Sequence, residues 1–292
     1  MMTLMNIQTF TIVSGKAVCN ASCPYCVSKM TGLNEVIIKE KQINFRNFKK
    51  ACRLAQISGV STVLITGKGE PVLYPEQITN YLDHLQEYNF PLIELQTNGL
   101  LLIQKKYDRF LKKWLDLGLG LIAISIVHYD RKKNQQIYTP GKDYPDLKEL
   151  VKKLHKLDFS VRFSVTMSLG LIDCPGEVEK MVKFAKDMEV EQLSFRPIAK
   201  PVLSENAKVA GWVKEHEIPA EKLQAIIGFL EKKGHRLITY GHGAILYDLN
   251  GQNVCLTDAL TIQPNSENIR QLIFFPDGHL RFDWQYKGAV LL

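Results

Sequence analysis

Cys19-Asn20-Ala21-Ser22-Cys23-Pro24-Tyr25-Cys26 sets three thiols at a C-x3-C-x2-C spacing, directly after the first strand-like run, Ile7 to Val13. Six of the 292 residues are cysteine, so partners at both of these spacings arise by chance with a frequency of about 0.2%. Three thiolates in one short turn bind a soft metal centre. A tetrahedral ion or a four-iron cube held by three protein ligands keeps one position open for an exchangeable group. A structural zinc site wants a fourth protein ligand, and no neighbouring Cys or His offers one in the sequence.

Composition sets the bounds around that loop. With 46% hydrophobic and 23% charged residues over 292 positions, the chain can bury one sizeable core and reads as a globular, enzyme-sized protein. The longest uncharged run, Leu54 to Gly67, is 14 residues and carries Gln, Ser and Thr, too short and polar to span a bilayer. No basic segment precedes the apolar residues of the N-terminus, so the expectation is no secretory signal and a cytoplasmic location where thiols stay reduced. The excess of 37 Lys and Arg over 30 Asp and Glu, a formal +7, is mild. Clusters such as Lys105, Lys106, Lys112 and Lys113 read first as solvated helix faces and second as a surface for an anionic partner. No Arg-rich tail or basic stretch interleaved with aromatic residues supports nucleic acid.

Behind the cysteine loop, Phe45, Phe48, Cys52 and Ala55 recur at helical spacing after an Asn44 cap and stop at Gly59, which puts Cys52 in a core. Ser61 to Ile65 is a branched apolar run of the kind a buried parallel strand shows, ending in Thr66-Gly67-Lys68-Gly69-Glu70-Pro71. Helix 75–88, strand 92–96, helix 102–116, strand 120–127, helix 145–157, strand 161–167, helix 176–188 and strand 192–196 follow by the same periodicity. Six strand-then-helix units argue a parallel sheet with right-handed crossovers, as a partial barrel or an open doubly wound sheet. Either architecture gathers functional groups at the carboxyl ends of its strands. The cysteine loop, Gly67 to Glu70, Thr97-Asn98, His128 and Arg196 all fall there. Past about residue 198 the texture changes to two helices, 206–216 and 219–232, and short strands, 237–240 and 244–248. A terminal hairpin follows, 271–275 and 280–284 around Pro276-Asp277-Gly278, with Gly placed for positive φ.

On these residues the chain resembles the radical S-adenosylmethionine (SAM) superfamily: Cys19, Cys23 and Cys26, with aromatic Tyr25 before the last, match its signature. The resemblance implies one 4Fe-4S cluster on those thiols whose open iron takes the amino and carboxylate groups of SAM. It also implies reductive cleavage of SAM to a 5'-deoxyadenosyl radical that abstracts hydrogen from substrate, fed by a reductant such as flavodoxin or ferredoxin. The implied fold is a (β/α)6 partial TIM barrel over residues 1–200, with a small α+β C-terminal extension, 201–292, covering its opening. Gly67-Lys68-Gly69-Glu70-Pro71 resembles the family's Gly-Gly-Glu-Pro motif, with Lys68 in place of the first Gly. Glycines there let the backbone approach SAM, and Glu70 suits its amino group. By the same resemblance Asn98, Ser125 and Ser164 lie along the SAM ribose and carboxylate, Arg196 fixes an anionic group, and Tyr25 offers its backbone and ring to the adenine.

His128, Arg162, Tyr240 and His242 stand as further substrate contacts. Cys255 and Pro276-Asp277-Gly278 faintly resemble the SPASM or twitch extension, which binds auxiliary clusters. Phe282, Asp283 and Trp284 occupy the place of the further Cys it needs, and Cys174 is the only other spare thiol, so a second cluster is not expected. Cys255 then reads as a small buried hydrophobe between the last helices and the terminal hairpin. The expected substrate is small or anionic. The alternatives are a peptide- or RNA-modifying maturase of the same superfamily and, in another class, a zinc-binding α/β interaction module.

Overall fold

Most core strands place apolar residues on the helix-covered face and concentrate their polar residues on the other, where Leu64, Leu121 and Ala123 also lie, and this pattern builds the architecture. The computed structural model describes residues 7–31, 43–139, 141–201, 204, 206–240, 243–257 and 269–292. In chain order the elements are β1 (Thr9–Val13), α1 (Val27–Met30), α2 (Phe45–Ile57), β2 (Thr62–Thr66), α3 (Pro75–Leu85), β3 (Leu92–Thr97), α4 (Asp108–Asp116), β4 (Leu119–Ile126), α5 (Arg131–Tyr138), α6 (Leu147–His155) and β5 (Ser160–Met167). Then come α7 (Pro175–Asp187), β6 (Gln192–Pro197), α8 (Ala207–His216), α9 (Ala220–Lys233), β7 (His235–Thr239), β8 (Ile245–Leu249), β9 (Gln252–Leu256), β10 (Gln271–Phe274) and β11 (Leu280–Arg281).

Local chemistry explains the helix starts. The Asn44 carboxamide oxygen accepts from Asn47 N–H at 3.1 Å to cap α2, Asp146 accepts from Lys148 N–H at 2.8 Å to cap α6, and Pro75 and Pro175 sit in the first turns of α3 and α7. Among the described residues the strands form one sheet in the order β11-β10-β1-β2-β3-β4-β5-β6-β9-β8-β7. β1 to β6 run parallel in sequence order, the (β/α)6 partial barrel, and the sheet is not closed. The C-terminal segment supplies strands to both of its edges. β10 pairs parallel with β1 and β9 pairs parallel with β6, and the antiparallel β11 and β8-β7 lie outside them.

The pairing register separates the two faces. Phe10, Val63, Leu95, Ile122, Phe163, Leu193 and Val254 are buried on the outer face, where Phe10 meets Phe48 of α2 and Phe163 meets Phe184 of α7. The inner face carries Thr11, Glu94, Gln96, Ser125, Arg162, Ser164, Gln192, Ser194, Arg196 and Cys255. A polar face turned away from the helices is a surface left for ligands rather than for packing. Three elements were not expected from the sequence, the single turn α1, α5 and β9, and the last carries Cys255. Among the described residues no helix is long and apolar enough to cross a membrane.

Candidate cofactor site at the carboxyl ends of the strands

The cysteine loop leaves the end of β1 and returns through the single turn α1, whose N-terminal flank is Cys26. It is tied down at several points. Glu70 N–H donates to Val18 O at 2.9 Å, Ser22 N–H donates to Tyr138 O at 2.9 Å, and Asn98 Nδ2 donates to the Asn20 side-chain oxygen at 2.7 Å. Gly69 fits flush against the same loop, since a Cβ there would fall 1.9 Å from Val18 O. The buried Lys68 ammonium reaches the far end of the loop, donating to Thr31 Oγ1 at 2.7 Å.

Glu70 is the node of the site. It is 3% exposed. One carboxylate oxygen accepts from Val72 N–H at 3.0 Å and Thr97 Oγ1 at 2.5 Å, and the other from Asn98 N–H at 2.9 Å. Burial pushes its carboxyl above the ordinary range, while the bonds from Asn98, Thr97 and Val72 pull against that rise. A carboxylate has about four acceptor positions, and three are filled from within, leaving one on the oxygen that faces Asn98. Asn98 also directs Nδ2 toward Cys19 Sγ at 3.7 Å. Ser125 and Ser164 pair with each other across β4 and β5 on the inner face, and Thr166 pairs with Arg196 one step further up.

The three thiols lie in mutual electrostatic range. Burial, then Cys26 and Cys19, push Cys23 up to about 12, and burial is also the chief cause raising Cys19. Among the described residues they are not drawn in to the spacing of a closed three-ligand metal group. Their chemistry nonetheless suits an iron-sulfur cube: three soft donors in one turn, seated on a Gly-Glu turn that offers one open acceptor to an ammonium. A bound cationic centre would supply the positive charge that offsets burial and the repulsion between neighbouring thiolates, so binding would release the thiol protons. When bound, such a cluster and SAM supply the radical chemistry. The residues of the chain would hold and orient them.

Several expected residues are placed otherwise. The Tyr25 ring is buried, with its hydroxyl donating to Tyr138 Oη at 3.0 Å and its centroid 5.9 Å from that of Trp212 in α8. His128 follows β4 but lies against α7, with Nε2 3.2 Å from Glu177, and Nδ1 accepts from Asp130 N–H at 2.9 Å. Burial, then Lys133, holds that imidazole below its ordinary pKa, so a neutral, packed histidine replaces the expected substrate contact. Arg162 pairs with Glu94 at 2.6 Å on the inner face. Tyr240 sits at the end of the outer strand β7, and His242 lies outside the described residues. Cys255 is half-buried on the inner face of β9, beside Ser194, and not packed under the terminal hairpin. Tyr138, Asn20 and Lys68 as anchors of the cysteine loop carried no sequence signal beyond proximity to the motifs.

The sheet, the placement of the loop at the strand ends and the Gly-Glu turn together define a radical SAM core, and comparison with known proteins agrees. The family described as "Radical SAM superfamily" matches residues 14–185, more than half of the chain, and the chain belongs to that superfamily. It is 30% identical over 180 residues to an uncharacterised protein of Methanocaldococcus jannaschii, covering 60% of this chain and 54% of that protein. It is 24% identical over 173 residues to GTP 3',8-cyclase of Aquifex aeolicus, covering 59% and 51%. The chain thus spans about half the length of the curated relatives it matches. Among solved structures, Streptococcus suis SuiB bound to S-adenosylmethionine superposes with a TM-score of 0.60 at 13% identity, covering 97% of this chain and 62% of that one. Methylornithine synthase gives 0.54 at 12% identity, covering 89% and 74%. These structural likenesses show the fold. Membership in the superfamily implies an enzyme that uses an iron-sulfur cluster and SAM.

Proposed function

We propose that this radical SAM enzyme carries a single 4Fe-4S cluster on Cys19, Cys23 and Cys26, and that it holds SAM along Gly67, Lys68, Gly69, Glu70, Asn98, Ser125 and Ser164. In this reading residues 1–200 form the catalytic core, and residues 201–292 cover its opening. The substrate is a small or anionic molecule from which hydrogen is abstracted, and a flavodoxin- or ferredoxin-like protein reduces the cluster. The observation that carries the reading is the seating of the cysteine loop on the turn after β2. Gly69 and Glu70 hold Val18, while the Glu70 carboxylate, joined to Asn98, keeps one acceptor position for an ammonium. Glu70 then orients the amino group of SAM, and Asn98 steadies the loop beside Cys19.

Anaerobic reconstitution tests the proposal. The wild-type chain is expected to hold about four irons and to cleave SAM under reduction, and Cys19→Ala, Cys23→Ala or Cys26→Ala to lose both, because each removes one of three ligands. A full iron complement in any single variant would refute the ligand assignment. A count of about eight would place a second cluster on the chain. A colourless, zinc-loaded protein would favour the interaction-module reading instead.

A further inference from the structure

Three tyrosines gather beside Cys23. Tyr25 lies in the cysteine loop, Tyr138 ends α5, and Tyr144 stands in the connection to α6. Their backbones are tied in place. Ser22 N–H donates to Tyr138 O at 2.9 Å and Arg131 Nε donates to Tyr144 O at 2.6 Å, which leaves the Tyr138 and Tyr144 ring centroids 6.0 Å apart. Burial raises all three hydroxyls above the ordinary tyrosine range, and the charge of Cys23 adds to the rise at each.

Two of the hydroxyls are satisfied. Tyr25 Oη donates to Tyr138 Oη at 3.0 Å, and Thr166 also bonds to Tyr25. The third is not, because Tyr144 is fully buried and its Oη has no hydrogen-bond partner among the described residues. A buried hydroxyl left unbonded costs folding free energy that phenylalanine, of the same shape, would avoid. Tyr81 supplies the contrast. Its Oη is equally buried and unpartnered, but its ring lies on the helix-covered side against Phe48 and Phe274, with centroids at 5.1 and 6.5 Å, and burial alone raises it. Only Tyr144 combines a spare donor with a sulfur of the cysteine loop close by.

We propose that Tyr144 Oη is a hydrogen-bond donor to the Cys23 sulfur once that sulfur holds the cluster, and that it thereby sets how readily the cluster accepts an electron. This rests on the radical SAM reading. A thiol is a weak acceptor and a thiolate ligand a charged one, so the hydroxyl gains its partner only when the cysteines have given up their protons. Such a bond favours the more negative, reduced state and raises the potential. Tyr144 acts through the ligand, so it is a positioning residue and its readout is the potential.

The test is a redox titration of the reconstituted protein without SAM, followed by electron paramagnetic resonance, on wild type, Tyr144→Phe and Tyr81→Phe. Loss of the Tyr144 donor is expected to make reduction about tenfold less favourable, a shift of about 59 mV to more negative potential for one electron, with iron content unchanged. Tyr81→Phe is expected to leave the potential where it was. Before reconstitution, Tyr144→Phe is expected to melt no lower than wild type, since its hydroxyl bonds to nothing in the cluster-free chain. Full iron with an unmoved potential in Tyr144→Phe overturns this assignment alone, and so does an equal shift in Tyr81→Phe. Loss of iron, or a lower Tm of cluster-free Tyr144→Phe, also overturns it, because the hydroxyl would then support the fold through a protein group or a buried water. A wild-type chain that binds no iron overturns the radical SAM reading and this assignment with it.

Discussion

Gly69→Ala puts one methyl group into the contact on which the cofactor site is built. The added Cβ would stand 1.9 Å from Val18 O, 2.5 Å from Val18 C and 2.6 Å from Val18 N, where real Cβ atoms essentially never approach within 3.0 Å. All three atoms are backbone of the segment leading into Cys19, so no side-chain rotation relieves the clash, and the segment must retreat by about 1 Å or more. Overpacking of that kind costs about 1–3 kcal/mol. The retreat also stretches the 2.9 Å bond from Glu70 N–H to Val18 O, worth about another 0.5–1.5 kcal/mol. The sum, about 2–4 kcal/mol, corresponds to a fall in Tm on the order of 5–10 °C for a chain of this size. Cys19 moves with Val18, so iron bound after anaerobic reconstitution falls together with SAM cleavage. The matched control is Gly228→Ala in α9, whose Cβ would meet nothing within 4 Å, and which is expected to add about 0.5–1 kcal/mol through helix propensity with iron unchanged. Gly69→Ala protein with wild-type Tm and full iron would show that this turn does not seat the cysteine loop.

Two further substitutions probe neighbouring parts of the argument. Glu70→Gln turns an amide NH2 toward donors that now meet a carboxylate oxygen, so it should weaken SAM binding by about 1.5–3 kcal/mol while the cluster persists; calorimetric titration of SAM giving unchanged affinity would return the residue to a purely structural role. Asp277→Ala strands Arg281, which is 4% exposed and makes a two-fold contact with Asp277 at 3.0 and 2.7 Å, and should cost about 3–5 kcal/mol in urea unfolding. Burial by itself would raise the Asp277 carboxyl, but the Arg281 bonds and the His279 N–H outweigh it and hold it below the ordinary range. The unfolded chain therefore binds this proton more readily than the folded one. The pair's contribution is present above the ordinary Asp value and lost as pH falls through the lowered folded value, so Asp277→Asn should flatten the acid limb of the stability profile. An unaltered acid limb would contradict the assignment.

The sequence showed most of what periodicity can show. Six strand-helix units, the Asn44 cap, Cys52 in the core and the positive φ of Gly278 follow from apolar spacing and turn chemistry, and all are found. What escaped lacks an apolar pattern for physical reasons. α5 reads Arg-Lys-Lys-Asn-Gln-Gln-Ile-Tyr and buries only Asn134 and Tyr138, so no stripe marks it. Asn134 is buried as a hydrogen-bonding hub, accepting from Val127 N–H at 2.9 Å, which sequence reads as a surface residue. β9 reads Gln-Asn-Val-Cys-Leu, and its amides are residues that strands usually avoid. They are tolerated because Gln252 bonds Val190 O at 2.9 Å and Asn253 lies on the polar inner face. The same inversion misplaced Cys255: on this sheet the apolar side faces helices and the polar side faces the site, so a thiol on the inner face has charged neighbours.

The departure of this chain from the Gly-Gly-Glu pattern also has a structural explanation. Two neighbouring glycines would suggest that both positions need bare backbone, yet only the second presses on the cysteine loop, since Gly69 is the one whose Cβ would strike Val18. Position 68 turns the other way, and there a side chain has room to do something a glycine cannot. The Lys68 ammonium, buried to 4% exposure, donates to Thr31 Oγ1 at 2.7 Å and Thr31 O at 3.3 Å, beyond α1. Three consecutive residues thus hold both ends of the loop: Gly69 and Glu70 hold its entry at Val18, and Lys68 its exit at Thr31. A buried lysine is retained only where its charge is well solvated by acceptors, and its place here converts a ligand-approach motif into a clamp on the segment that carries all three thiols.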